Sequence, residues 1–190
     1  MEFIDEVIGS RDPLVSLGGF SMVEGAILYS SFAFLKHFQS KGKNKLLNVV
    51  RGINFSVRDE NLHSIASAWV YKKTKQQRSP EQIRECEDIL VAMAKELYHH
   101  ECEIIEMIFE KGSIEGITKT QMRHFVESRI DECLKQLDIE PIYKPSYSPV
   151  AEWFHSGING FQFNDFFSGI GSQYSRNWTE TNFTWEPKNV

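Results

Sequence analysis

Arg58-Asp59-Glu60-Asn61-Leu62-His63 is the stretch of this chain whose residue types and spacing could do the most chemistry. Glu60 and His63 are three residues apart, so on a helix they share a face where a carboxylate oxygen and an imidazole nitrogen can reach one ion. Alone, a Glu-x-x-His is more often a surface ion pair than a ligand set. Glu24 alters that weighing. It is the one charged residue between Gly18 and Tyr29, and desolvating a carboxylate costs on the order of several kcal/mol unless a cation, an ion partner or a proton compensates it. A metal ion would provide that compensation.

Bundles that hold two carboxylate-bridged metal ions use a lone Glu from each of two helices and a Glu-x-x-His from each of two others. Glu24 and the Glu60/His63 pair are one of each. Glu96-x-x-His99 and Glu127 are formal candidates for the rest, which would make a self-contained ferritin-like metal-binding protein. The rival meaning of Lys95 to Glu103, charged in nearly every direction, is a solvated helix surface.

These residues need helices to position them, and apolar residues recur at helical spacing until about position 140. The pattern predicts helices over 16–40, over 44–75, from Ser79-Pro80 to Lys111-Gly112, and from Thr118 to about Leu137. Ser79 and Thr118 are expected N-caps, with Pro80 at a first helical position. Four long helices with short connections describe an all-α bundle, assigned to residues 1–140. Pro141, Pro145, Pro149 and the stretch from Phe154 to Gly160 predict an irregular continuation without helix over 141–190, ending in a flexible tail with isolated aromatics.

The 190 residues suit one domain with a full core, being 41% hydrophobic and 25% charged. With 21 Lys+Arg against 26 Asp+Glu and a net charge of -5, there is no basic footprint for a nucleic-acid backbone. Uninterrupted apolar runs are short and the first residues are acidic, so neither a membrane span nor a signal segment is expected, and a cytoplasmic location is. Cys86, Cys102 and Cys133 form no CxxC pair, which speaks against a disulfide scaffold or zinc ribbon.

Taken with Ser31-Phe32-Ala33-Phe34, the end of the third helix at Phe109 to Ile114, and the tail from Asn164-Asp165-Phe166-Phe167 through Tyr174, the Arg58 to His63 motif resembles the small subunit of class I ribonucleotide reductase. The likeness is to its C-terminal half and is closest to phage-type members. It implies an incomplete ferritin-like helical bundle and a di-iron centre, with manganese possible, that uses O2 to oxidise a nearby tyrosine. It implies Glu24, Glu60 and His63 as metal ligands, with the remaining ligands and the radical tyrosine on an N-terminal half that this chain lacks. Asp59 corresponds to an aspartate that hydrogen-bonds a ligand histidine on the radical-transfer route, and Tyr174 to the tail tyrosine that passes the radical between subunits. Tyr29, five residues from Glu24, is a weaker candidate for a substitute radical site.

Phe183, Thr184 and Trp185 resemble the segment that docks on the large catalytic subunit. The partners implied are that large subunit, a second small subunit, and a separately encoded N-terminal half, as though the chain were a split-gene product or a truncation. The rival from another class is a non-catalytic fragment that only binds the large subunit.

Overall fold

The computed structural model describes residues 2–39, 43, 45–145 and 147–159. Its elements are α1 (Glu2–Ile8), α2 (Pro13–Ala26), α3 (Tyr29–His37), α4 (Leu47–Lys75), α5 (Pro80–Ile108), α6 (Lys119–Gln136) and α7 (Pro149–Asn159). Among the described residues there is no strand beyond one isolated bridge between Ile114 and Ile117. The helices enclose a core in which Leu14, Met22, Tyr71, Leu90, Met93, Leu97, Phe125 and Ile130 are fully buried.

The helix starts read from polar caps are those observed. Ser79 accepts from the Gln82 amide and Gln82 returns a bond to the Ser79 amide, so two of the orphan donors of α5 are satisfied reciprocally. Thr118 and Gln121 make the same capping box at α6. Cys86, Leu90, Met93, Leu97 and Ile105 then place one buried stripe on α5.

Three expectations differ from the structure. The helix expected over 16–40 is two helices, because the chain breaks at Ile27-Leu28, where Leu28 adopts a left-handed conformation with φ 65°. A side chain with a Cβ pays about 1–2 kcal/mol for that conformation, so tertiary contacts must hold it. The segment after position 140 is not wholly irregular. Pro149 serves as a first-turn residue, where its missing N–H is no loss, and Val150 and Phe154 of α7 are buried in the core. Phe154 lies under the buried Lys36 ammonium, 4.8 Å from the ring centre. Finally, the helix expected over 44–75, whose apolar residues at helical spacing include Val50, Val57, Leu62, Ile65 and Trp69, does not bury them all on one face. Val50, Val57, Ala68 and Tyr71 are buried, whereas Phe55, Leu62, Ile65 and Trp69 are exposed, Leu62 by 63% and Trp69 by 60%.

Pro13–His37 is the stretch among the described residues long and apolar enough to cross a membrane. Here it is bundle core: Gly18 faces Leu90 and Tyr71, and Gly25 faces Cys133 and Ser64, where a Cβ would collide. These glycines let α2 approach α4 closely, and that pair makes the most extensive helix contact in the fold. At the centre of the contact Ser21 Oγ donates to the Ser64 carbonyl at 2.8 Å, and Ser64 Oγ donates to the Ser21 carbonyl, also at 2.8 Å. Both serines are fully buried. The exchange fixes the register of α2 on α4 to a single residue.

Each of these bonds is worth about 1 kcal/mol net. Replacing Ser21 or Ser64 by Ala is expected to lower stability by about that amount in urea denaturation. The double variant should lose measurably less or more than the two single losses added, since the two hydroxyls belong to one clasp.

Candidate metal centre

Glu24 sits in the last turn of α2, three residues after Ser21, and His63 precedes Ser64 on α4. The serine clasp therefore brings these two side chains face to face. His63 Nδ1 lies 3.4 Å from Glu24 Oε2 and 3.3 Å from Glu60 Oε2. One donor atom from each of Glu24, Glu60 and His63 falls within 4.8 Å of the other two, the one such group of potential ligands among the described residues. Two hard oxygens and an imidazole nitrogen suit a first-row divalent ion.

The site is walled on one side and open on the other. The Glu24 side chain is 18% exposed and that of His63 54%. Burial and the adjoining Glu60 carboxylate raise the Glu24 pKa against the lowering pull of His63. Hydrogen bonding to Glu24, then to Glu60, raises that of His63. Three protein donors can hold one ion with positions left open. Holding two ions in the carboxylate-bridged manner takes more ligands than these.

Asp59 is exposed on α4 beside this group. The other candidate set does not assemble. Glu96 is exposed, His99 is 73% exposed and lies 3.6 Å from Glu103, and Glu127 accepts a hydrogen bond from Tyr98 at 3.0 Å. A helix surface explains the first two, and a buried-side tyrosine partner explains the third. Tyr29 is fully buried with its hydroxyl unpartnered among the described residues, and burial pushes its phenol up to about 12. Tyr174, Phe183, Thr184 and Trp185 lie outside the described residues.

Sequence reasoning missed the buried polar residues around these side chains. Ser21 and Ser64 were invisible as a pair 43 positions apart. Glu101 was grouped with surface charges, yet it is fully buried and accepts from the Leu28 and Ser30 amides, each at 2.8 Å. Its register was the available signal: Leu90, Ala94, Leu97, Glu101 and Ile105 form one buried row at helical spacing. Arg129, 2% exposed, donates from Nε and Nη2 to the Gly25 carbonyl at 3.1 and 2.8 Å.

Comparison with known proteins gives a consistent result. The family model described as ribonucleotide reductase, small chain, matches residues 1–149. Ribonucleoside-diphosphate reductase 2 subunit beta of Escherichia coli (strain K12) is 26% identical over 175 residues, covering 91% of this chain and 53% of that protein. The ribonucleoside-diphosphate reductase subunit beta of Bacillus subtilis (strain 168) is 22% identical over 159 residues, covering 81% and 45%. This chain thus spans about half the length of these curated relatives. A crystal structure described as a putative class I ribonucleotide reductase from Bacillus halodurans superposes with TM-score 0.68 at 21% identity, over 82% of this chain and 57% of that one. The fold is the ferritin-like helical bundle expected.

Metal ligation requires these groups to be deprotonated, so binding must release protons. The raised pKa values of Glu24 and His63 place that cost above pH 4.5 and 6.5, their ordinary values. Mn2+ affinity measured by calorimetry should rise as pH increases from 5.5 to 8. The sign for folding is opposite. Without metal, groups whose folded pKa is raised stabilise below the unfolded value and lose that contribution as pH passes the folded one. The apo chain should therefore lose this contribution as pH rises above 4.5 for Glu24 and above 6.5 for His63, and Glu24→Gln should flatten the loss in thermal unfolding scans.

Proposed function

Because this chain belongs to the ribonucleotide reductase small-chain family, we propose that it forms the C-terminal half of a radical-generating small subunit of ribonucleoside-diphosphate reductase, acting in deoxyribonucleotide synthesis in the cytoplasm. The observation that carries this reading is the convergence of Glu24, Glu60 and His63 across α2 and α4. In the role proposed, Glu24 and Glu60 bind as carboxylates and His63 as a neutral imidazole through Nδ1, the nitrogen facing both acids. A bound pair of redox-active ions, iron or manganese, supplies the one-electron oxidation on which ribonucleotide reduction draws.

The remaining ligands and the radical tyrosine then come from a separately encoded N-terminal half. The exposed face of α4 bearing Phe55, Leu62, Ile65 and Trp69 supports a missing neighbour, because soluble monomers seldom leave so many large apolar side chains in water. Asp59 and Tyr174 carry the radical outward, and Phe183, Thr184 and Trp185 dock on the large catalytic subunit, with small subunits paired as a dimer. The half share of relatives' length fits this division.

The test is reconstitution. The chain is mixed with its N-terminal half and Fe2+ under air, and iron content and the organic radical are read by elemental analysis and electron paramagnetic resonance. Both are expected in the mixture, with Glu60→Ala removing both while leaving capture of the large subunit intact. Deleting residues 179–190 should abolish that capture. Capture without metal or radical in the mixture would mean a non-catalytic binding fragment instead.

A further inference from the structure

The break between α2 and α3 follows directly on Glu24, and its unsatisfied backbone groups are met by two buried charges. In a continuous helix the amides of Leu28 and Ser30 would donate to the carbonyls of Glu24 and Ala26. They donate instead to the two oxygens of Glu101, Oε1 and Oε2, at 2.8 Å each. The Tyr29 amide would donate to the Gly25 carbonyl, which instead takes both donors of Arg129. The same guanidinium lies 4.4 Å over the Tyr29 ring. Glu101 comes from α5 and Arg129 from α6, so two separate helices grip the two sides of one break.

Among the described residues the two form no ion pair with each other, and Glu101 Oε1 also lies 3.5 Å from His100 Nδ1. Burying both is unfavourable unless every bond they make is kept. The broken segment, with left-handed Leu28 inside it, is thereby held in one conformation. Resting on the reading of Glu24, Glu60 and His63 as metal ligands, we propose that Glu101 and Arg129 are positioning residues: by clamping the break they fix the end of α2 so that the Glu24 carboxylate meets Glu60 and His63. Outer partners of this kind change metal affinity by about 10- to 100-fold when removed.

The experiment titrates the chain with Co2+, following its visible absorption bands, at a temperature where circular dichroism shows every variant folded. Glu101→Gln keeps the volume but presents an amide N–H to a backbone N–H. Arg129→Met removes the donors, and Arg129→Lys keeps the charge with a single donor group. Glu101→Gln and Arg129→Met should bind Co2+ at least tenfold more weakly than the unmodified chain, with Arg129→Lys recovering part of the loss. The control is Asp131→Asn, another buried carboxylate, which accepts from the Ile142, Tyr143 and Lys144 amides. It should lower the unfolding midpoint and leave Co2+ affinity unchanged.

Equal affinity in folded Glu101 and Arg129 variants would overturn the clamp while leaving the metal site standing, as would an equal loss in Asp131→Asn. Should Arg129→Met not fold, Arg129→Lys and Glu101→Gln decide, by weakened or unchanged binding. An unmodified chain that takes up no Co2+ would overturn the site reading itself, and the clamp's role with it.

Discussion

The close approach of α2 to α4 is the constraint on which the site depends. Glu24 stands on a helix with no other charge for a full dozen residues, and its carboxylate can reach a partner only if the facing helix comes near at the right height. Glycine at 25 removes a Cβ that would strike Ser64 of α4 and Cys133 of α6, and glycine at 18 one that would strike Leu90 of α5 and crowd Tyr71 of α4. The reciprocal bonds of Ser21 and Ser64 select the height. A slip of one residue would turn His63 by about 100° around α4, away from Glu24, because helical side chains advance by that angle per residue.

Fixing that register brings three potential ligands together. Two carboxylates face one imidazole, His63 Nδ1 lying 3.4 Å from Glu24 Oε2 and 3.3 Å from Glu60 Oε2. Burial, then the neighbouring Glu60 carboxylate, raises the Glu24 pKa, and hydrogen bonding to the two acids raises that of His63. The half-open geometry agrees with the uncovered apolar face on α4. Both lie on α4, the helix that carries Glu60 and His63.

Much of the scaffold was legible because local chemistry declares it. Ser79 with Gln82 and Thr118 with Gln121 mark helix starts that no tertiary contact need assist, and the start of α4 near Asn44 lay three residues from that observed. Glu24, Glu60 and His63 were legible because a lone carboxylate in an apolar run and an i,i+3 pair are local patterns too. What escaped was decided at a distance. The break at Leu28 has no breaker in its own sequence: Ala26, Ile27, Leu28 and Tyr29 would continue a helix, and Glu101, 73 positions away, supplies the acceptors that make stopping possible. Pro149 escaped for the converse reason. Proline ends a helix or begins one, and the choice here rested on whether Val150 and Phe154 had a core to enter.

The buried polar residues of this bundle are better understood as devices of specificity than of stability. An apolar pair at 21 and 64 would pack α2 on α4 at several heights with similar energy, whereas two hydroxyls that must each find one carbonyl accept a single height. Glu101 and Arg129 extend the same logic from the register of a helix to the place where it stops. A metal centre tolerates ligand displacements of only tenths of an ångström, and apolar packing alone does not discriminate that finely. Each buried polar bond therefore trades some stability for position, and those of Ser21, Arg129 and Glu101 reach α2 or the break after it within about two helical turns of Glu24.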